Sequence, residues 1–203
     1  MIKVYGSVYS RASMVMCVLE TLGLDYEYIP HLPKGKEIKQ DDYLELNPNG
    51  KVPTLVDGDL VLWETQAIMF YLVDKYGQGQ LWSDSAEGRA DIYRWSLFVS
   101  NQLELFALDL FIQNKFVPED LRDEAIILRA QAELDKHLPV LNARLEGREF
   151  ISGDNRTVAD IHGATILSWA KLVGYNFKQF PNVDAWIKSQ IKSEAQQKVN
   201  LKA

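Results

Sequence analysis

The chain has 203 residues, 47% of them hydrophobic, and a formal net charge of −6. That is enough apolar material for one large domain or two small ones. An acidic balance without a basic stripe excludes a nucleic-acid or anionic-membrane surface from the expectation, since Lys34, Lys36 and Lys39 are interleaved with Glu37, Asp41 and Asp42.

The opening Met-Ile-Lys-Val-Tyr lacks a charged and apolar leader, and no run of about eighteen apolar residues follows, so no membrane partner and a cytoplasmic location are expected. Cys17, as the single cysteine, excludes an intramolecular disulfide, and His31, His137 and His162 have no ligand-like spacing. No metal is expected.

In chain order, Ile2 to Tyr5 alternates as a short strand. Met14, Val15, Val18, Leu19 and Leu22 follow helical spacing up to Gly23, and Asp25 to Ile29 reads as a second strand. A strand, a helix and a strand this close together predict a right-handed crossover with parallel strands. Pro30 to Leu46 is a polar segment. Val52 to Val56, the turn Asp57-Gly58-Asp59 and Leu60 to Leu62 predict an antiparallel hairpin, and Thr65 to Tyr76 a helix.

The order βαβ, loop, ββα is that of a thioredoxin-like domain over residues 1–77, with Gly77 to Ser85 as a linker. Residues 86–203 show only helical periodicity, roughly over Ala86 to Asn114, Asp120 to Leu145, Val158 to Leu172 and from Val183 on. The fold class predicted is an α+β thioredoxin-like N-terminal domain followed by an all-α C-terminal domain.

Three stretches carry candidate chemistry. Asn47-Pro48-Asn49-Gly50-Lys51-Val52-Pro53 packs breakers before a strand. A turn is one reading; a cis Val52-Pro53 bond that presents the Val52 main chain to an extended, peptide-like ligand is the other. Glu64-Thr65 falls at a helix N-terminus, where Thr65 either caps the helix or joins the free N–H groups in holding a carboxylate while Glu64 accepts from an ammonium. Ser10-Arg11-Ala12-Ser13 stands where an open sheet presents reactive groups, and Ser10 is either an N-cap or a donor to a bound thiolate. Cys17 lies about 10 Å further along the helix and reads as a packed thiol.

Together with Tyr5-Gly6-Ser7 and Glu20-Thr21-Leu22-Gly23-Leu24, these motifs resemble the cytosolic glutathione transferases over nearly the whole chain. The likeness is to serine-type, bacterial-like members. It implies glutathione as co-substrate, with Val52 beside cis Pro53 pairing with the cysteinyl backbone and Glu64 and Thr65 holding the γ-glutamyl end. Thr65 stands for the usual serine. Lys51 stands at a position often Gln, Lys or Arg, and Lys39 near a basic position that reaches the glycyl carboxylate.

The resemblance further places the activating hydroxyl on Ser10, with Ser13, Tyr9 and Tyr5 as competitors, and makes Thr157 and Asp160 a capping box of a buried helix. It implies a homodimer, a detoxifying role, and a second-substrate pocket completed by the helical domain. Tyr9, Arg11, Trp95, Phe98, Gln102, Phe106 and Trp169 are candidates to line that pocket. The expected activity is conjugation of the glutathione thiolate to small, apolar electrophiles. Disulfide reduction or isomerisation, or a non-catalytic scaffold, are the alternatives.

Overall fold

The computed structural model describes residues 1–202. β1 (Ile2–Gly6), α1 (Ala12–Leu22) and β2 (Tyr26–Pro30) form the predicted crossover, with β1 and β2 parallel from Ile2 opposite Tyr26 to Gly6 opposite Pro30. β3 (Thr54–Asp57) pairs antiparallel with the other edge of β1, and β4 (Leu60–Trp63) with β3, so the sheet runs β2-β1-β3-β4. α3 (Thr65–Tyr76) follows directly. Alternation in β1 buries Ile2 and Val4 on one face. α1 is buried continuously from Ala12 to Leu19 because helices cover it on more than one side, α3 being the first of them.

The segment read as polar, Pro30 to Leu46, contains a 3-10 turn (Glu37–Lys39) and a short helix, α2 (Asp41–Leu46). Ile38 and Tyr43 are their buried anchors, and Asp41 and Asp42 favour the helix start through the dipole. Val52-Pro53 is cis, and β3 begins at Thr54, one residue past Pro53.

The chain divides into two compact units, Met1–Trp82 together with the segment from Lys192 onward, and Ser83–Ile191. In the second unit α4 (Ala86–Phe98) runs through a π-helical turn (Val99–Glu104) into α5 (Leu105–Lys115), followed by α6 (Glu124–Arg144), α7 (Val158–Leu172) and α8 (Pro181–Ile191). α7 is buried from Val158 to Leu167. Its start is fixed by the Thr157–Asp160 capping box. Asp160 Oδ2 accepts from Thr157 N at 2.9 Å and Thr157 Oγ1 at 3.0 Å, and Oδ1 from Ile151 N at 2.8 Å and Trp186 Nε1 at 3.0 Å.

The single helix read from Val183 onward is instead two. Ser193 accepts from Gln196 N and starts α9 (Glu194–Asn200), which leaves the helical unit and packs on α1, with Lys202 3.3 Å from Glu20. Among the described residues no helix is long and apolar enough to cross a membrane, and no cluster of His, Cys, Asp and Glu is placed to hold a metal ion.

One carboxylate ties the hairpin to α3. Asp57 Oδ2 accepts from Tyr71 OH at 2.6 Å, Tyr76 OH at 2.6 Å and Lys75 Nζ at 2.8 Å. Burial acts to raise the Asp57 carboxyl, but the lysine and the two phenols hold it at about 2. With an unfolded value of about 3.9, this stabilisation is complete above about pH 4 and is lost as pH falls through the folded value near 2. Asp57→Asn is expected to destabilise the protein by about 1–3 kcal/mol at pH 7. In urea unfolding at a series of pH values its deficit should shrink below pH ~4; a deficit that stays constant to the lowest pH at which both proteins fold contradicts this account.

Candidate active site

The strand directions gather three distant segments at one end of the sheet. β1 and β2 are parallel, so their C-terminal ends at Gly6 and Pro30 are neighbours. β3 runs the other way and sets its first residue, Thr54, opposite Tyr5, while β4 reverses again and sets its last residue, Trp63, opposite Thr54. The Ser7–Ser10 turn after β1, the Lys51-Val52-Pro53 approach to β3 and the Glu64-Thr65 entry to α3 therefore emerge together. At Gly6 the start of α1 and the approach to β3 crowd the end of β1: a Cβ there would lie 2.3 Å from Ala12 Cβ and 3.7 Å from Val52 Cβ.

Ser10 is 6% exposed, and its Oγ accepts from Ala12 N at 3.1 Å and Ser7 N at 3.3 Å while donating to Ser7 O at 2.7 Å. It thus braces the turn before α1, but it is not the N-cap: that position is Arg11, which makes no side-chain cap bond. Two N–H groups on its oxygen also polarise the hydroxyl and make its proton a stronger donor. Ser13 Oγ is turned back along the helix to Ser10 O at 2.9 Å. The Tyr9 side chain is 70% exposed. Cys17 is fully buried, an environment that suits a packed thiol.

The Asn47–Pro53 loop is held from several directions. Asn47 Oδ1 accepts from Asn49 N at 3.1 Å, and Gly50 N donates to Asn47 O at 2.9 Å. Gly50 has φ +54 and is buried, with Ile38 O 2.9 Å from where a Cβ would be. Only glycine fits both demands. Lys39 Nζ donates to Gly50 O at 3.1 Å, which brings this predicted residue to the same loop.

Tyr43, not singled out from the sequence, and Asn47, which opens the candidate loop, grip the segment on either side of Val52-Pro53. Tyr43 OH donates to Lys51 O at 2.6 Å and lies 2.8 Å from Thr54 Oγ1, while Asn47 Nδ2 reaches the same two atoms at 2.9 and 3.1 Å. The signal available was indirect: a polar aromatic one helical turn before Leu46, and an asparagine before proline, which favours turns.

Glu64 is the N-cap of α3 and is exposed, at φ +73 and ψ 114, while Thr65 is buried at the first helical position. The first-turn N–H groups of a helix lack intrahelical partners and carry the positive end of its dipole. Glu64 is thus a carboxylate-bearing residue in a sparsely populated conformation at that spot.

The proposed pocket residues of the helical unit have divided surroundings. Trp95 is buried beneath the guanidiniums of Arg94 and Arg144, centred 5.7 and 5.5 Å from its ring, and packs edge-on against Phe98. Trp169 is half-buried and stacks on Phe111 at 5.6 Å.

The glutathione S-transferase N-terminal domain matches residues 1–74 and the C-terminal domain of the same name matches residues 106–194. The chain belongs to the glutathione S-transferase family. It is 35% identical to glutathione S-transferase GstB of Escherichia coli strain K12 over 98% of its own length and 97% of that protein's. Among solved structures, glutathione transferase URE2P6 of Phanerochaete chrysosporium, in complex with oxidized glutathione, is 30% identical with a TM-score of 0.87, over 99% of this chain and 95% of that one. Glutathione transferase F2 of Populus trichocarpa is 26% identical with a TM-score of 0.89, over 100% and 98% of the two chains. The protein is accordingly a transferase with the thioredoxin-like and all-helical domains of that family.

The backbone at Glu64 carries a conformational cost. A non-glycine residue at such φ and ψ costs about 1–3 kcal/mol, and glycine would recover most of it, less its own larger folding entropy of about 0.5–1 kcal/mol. Glu64→Gly is therefore expected to raise unfolding free energy by about 1 kcal/mol in denaturant titration, at the expense of whatever the carboxylate binds. A loss of stability would show that the conformation is not strained.

Proposed function

We propose that this transferase binds glutathione at the end of the sheet and joins its sulfur to a small, apolar electrophile. The reading is carried by one observation, the convergence of the Ser7–Ser10 turn, the Lys51-Val52-Pro53 approach and the Glu64-Thr65 helix entry that the strand pairing imposes. It is supported by the similarity to a glutathione transferase solved with oxidized glutathione.

Val52 N–H and C=O pair with the cysteinyl residue as an added strand would. Glu64 accepts from the γ-glutamyl ammonium, and Thr65 with the α3 N-terminus holds its carboxylate. Lys39 and Lys51 attract the glycyl carboxylate. Ser10, as in serine-type members, turns its hydroxyl from Ser7 O to the sulfur.

The thiol proton leaves to solvent. The thiolate then attacks the electrophilic carbon, a carbon–sulfur bond forms, and the leaving group departs with its electron pair. Catalysis is positioning plus stabilisation of the thiolate. A reductase or isomerase cycle through a protein thiol has less support, because Cys17 is fully buried and reactive cysteines are accessible. A scaffold has no use for a strained carboxylate at a helix entry.

The same reading assigns a homodimer. β4 is the edge of the sheet and exposes Leu60, Val61 and Trp63, and α4 exposes Tyr93 and Leu97 one turn apart. Such apolar surface is suited to a second copy. A cytoplasmic, detoxifying role completes the proposal.

Retention on immobilised glutathione tests the cradle. The unaltered protein should be retained and Glu64→Gln, still folded by circular dichroism, should elute in the wash; an unaltered protein that is not retained ends the reading. The role of Ser10 is tested by titrating the thiolate absorbance of bound glutathione. A hydrogen bond to a charged group contributes about 1.5–3 kcal/mol, so Ser10→Ala should move the midpoint up by about one to two pH units. An unmoved midpoint transfers the role to Ser13 or Tyr9.

A further inference from the structure

The buried network behind Val52 has a direction to it. Tyr43 is 3% exposed, and its phenol has a single proton, which goes to Lys51 O. Thr54 Oγ1 must then be the donor to Tyr43 in their 2.8 Å contact. Asn47 Nδ2 has two protons, one for Lys51 O and one for Thr54 Oγ1. The four groups close a loop in which Lys51 O accepts twice and each donor is used.

The Lys51 carbonyl and the Val52 N–H are the two ends of one peptide plane. The cis bond at this place is Val52-Pro53, the next one along, so in the Lys51–Val52 unit C=O and N–H point in opposite directions. Whatever holds the oxygen aims the hydrogen.

We propose that Tyr43, together with Asn47, is a positioning residue for glutathione. By gripping the Lys51 carbonyl from the protein side, it aims the Val52 N–H at the cysteinyl carbonyl of the ligand. The ring itself is held independently, centred 5.9 Å from Tyr5 and 5.1 Å from His31. Removing the hydroxyl therefore leaves the packing of α2 in place. This inference rests on the glutathione reading above, and its test separates the two.

Isothermal titration of glutathione into the full chain, with steady-state kinetics on one electrophile, compares three proteins. Tyr43→Phe should raise the glutathione Kd and KM about tenfold, the loss expected for one well-made hydrogen bond, with kcat at saturating glutathione within about twofold. Thr54→Val breaks the same network but leaves both donors on Lys51 O, so its Kd should stay within about twofold of the unaltered protein.

An unaltered protein that gives no binding heat overturns the glutathione reading and this inference with it. Binding that is equally tight in Tyr43→Phe overturns this inference alone. So does a Thr54→Val protein weakened as much as Tyr43→Phe, because the effect is then general loosening rather than aim. Should Tyr43→Phe not fold, Asn47→Ser, which weakens the grip on the same oxygen and keeps the ring, carries the same expectation and the same refutations.

Discussion

Thr54 sits opposite Tyr5 on one side and Trp63 on the other, and this register is the constraint from which the candidate site follows. Side chains alternate along a strand, so a slip of one residue would turn Thr54 to the opposite face of the sheet. It would then lose Tyr43 and Asn47, and the approach to β3 would lose its support. The same slip would displace the end of β4 and hence the entry to α3. The candidate groups on three loops are thus positioned by backbone pairing in the sheet, before any side chain of the site is considered.

Multiply bonded polar groups are the second ordering element, and each unit has a carboxylate of this kind, half-buried at Asp57 and buried at Asp160. Asp57 fastens a hairpin to the far end of α3 through phenols and an ammonium. Asp160 joins the 151 turn, the α7 cap and Trp186 of α8 through both of its oxygens. Burial pushes the Asp160 carboxyl upward despite those donors, so the hub is costly to ionise and is kept by the number of bonds it makes. The Tyr43–Asn47–Thr54 loop reaches the same end with neutral groups, where an orphaned carbonyl behind the ligand-facing peptide would be the penalty for a missing partner.

Long periodic segments were legible in the sequence because repeated burial writes them there. The helices at Thr65 to Tyr76 and Val158 to Leu172 are found with those bounds, and the crossover, the hairpin and the cis Val52-Pro53 bond are found as well. α2 was not legible, since a helix of six residues shows too little of a 3.6-residue period. Tyr43 was hidden for a related reason: it acts through one hydroxyl on the hidden side of a peptide plane, and no spacing rule encodes that. The departure of α9 from the helical unit lacked a Gly or Pro at Lys192-Ser193. A hint was nonetheless present in α1, whose unbroken apolar run Met14-Val15-Met16-Cys17-Val18-Leu19 is too wide for one covered face.

That cover is α9, and its place after the helical unit in the sequence has a consequence for biosynthesis. A ribosome releases β1 and α1 well before α9, the helix that packs on α1. The first unit cannot reach its final packing until α9 has been made, and the helical unit is synthesised in the interval. During that time part of α1 has to be shielded by other means, such as a chaperone or a provisional collapse of the nascent chain. Completion of the first unit is thus coupled to synthesis of the second.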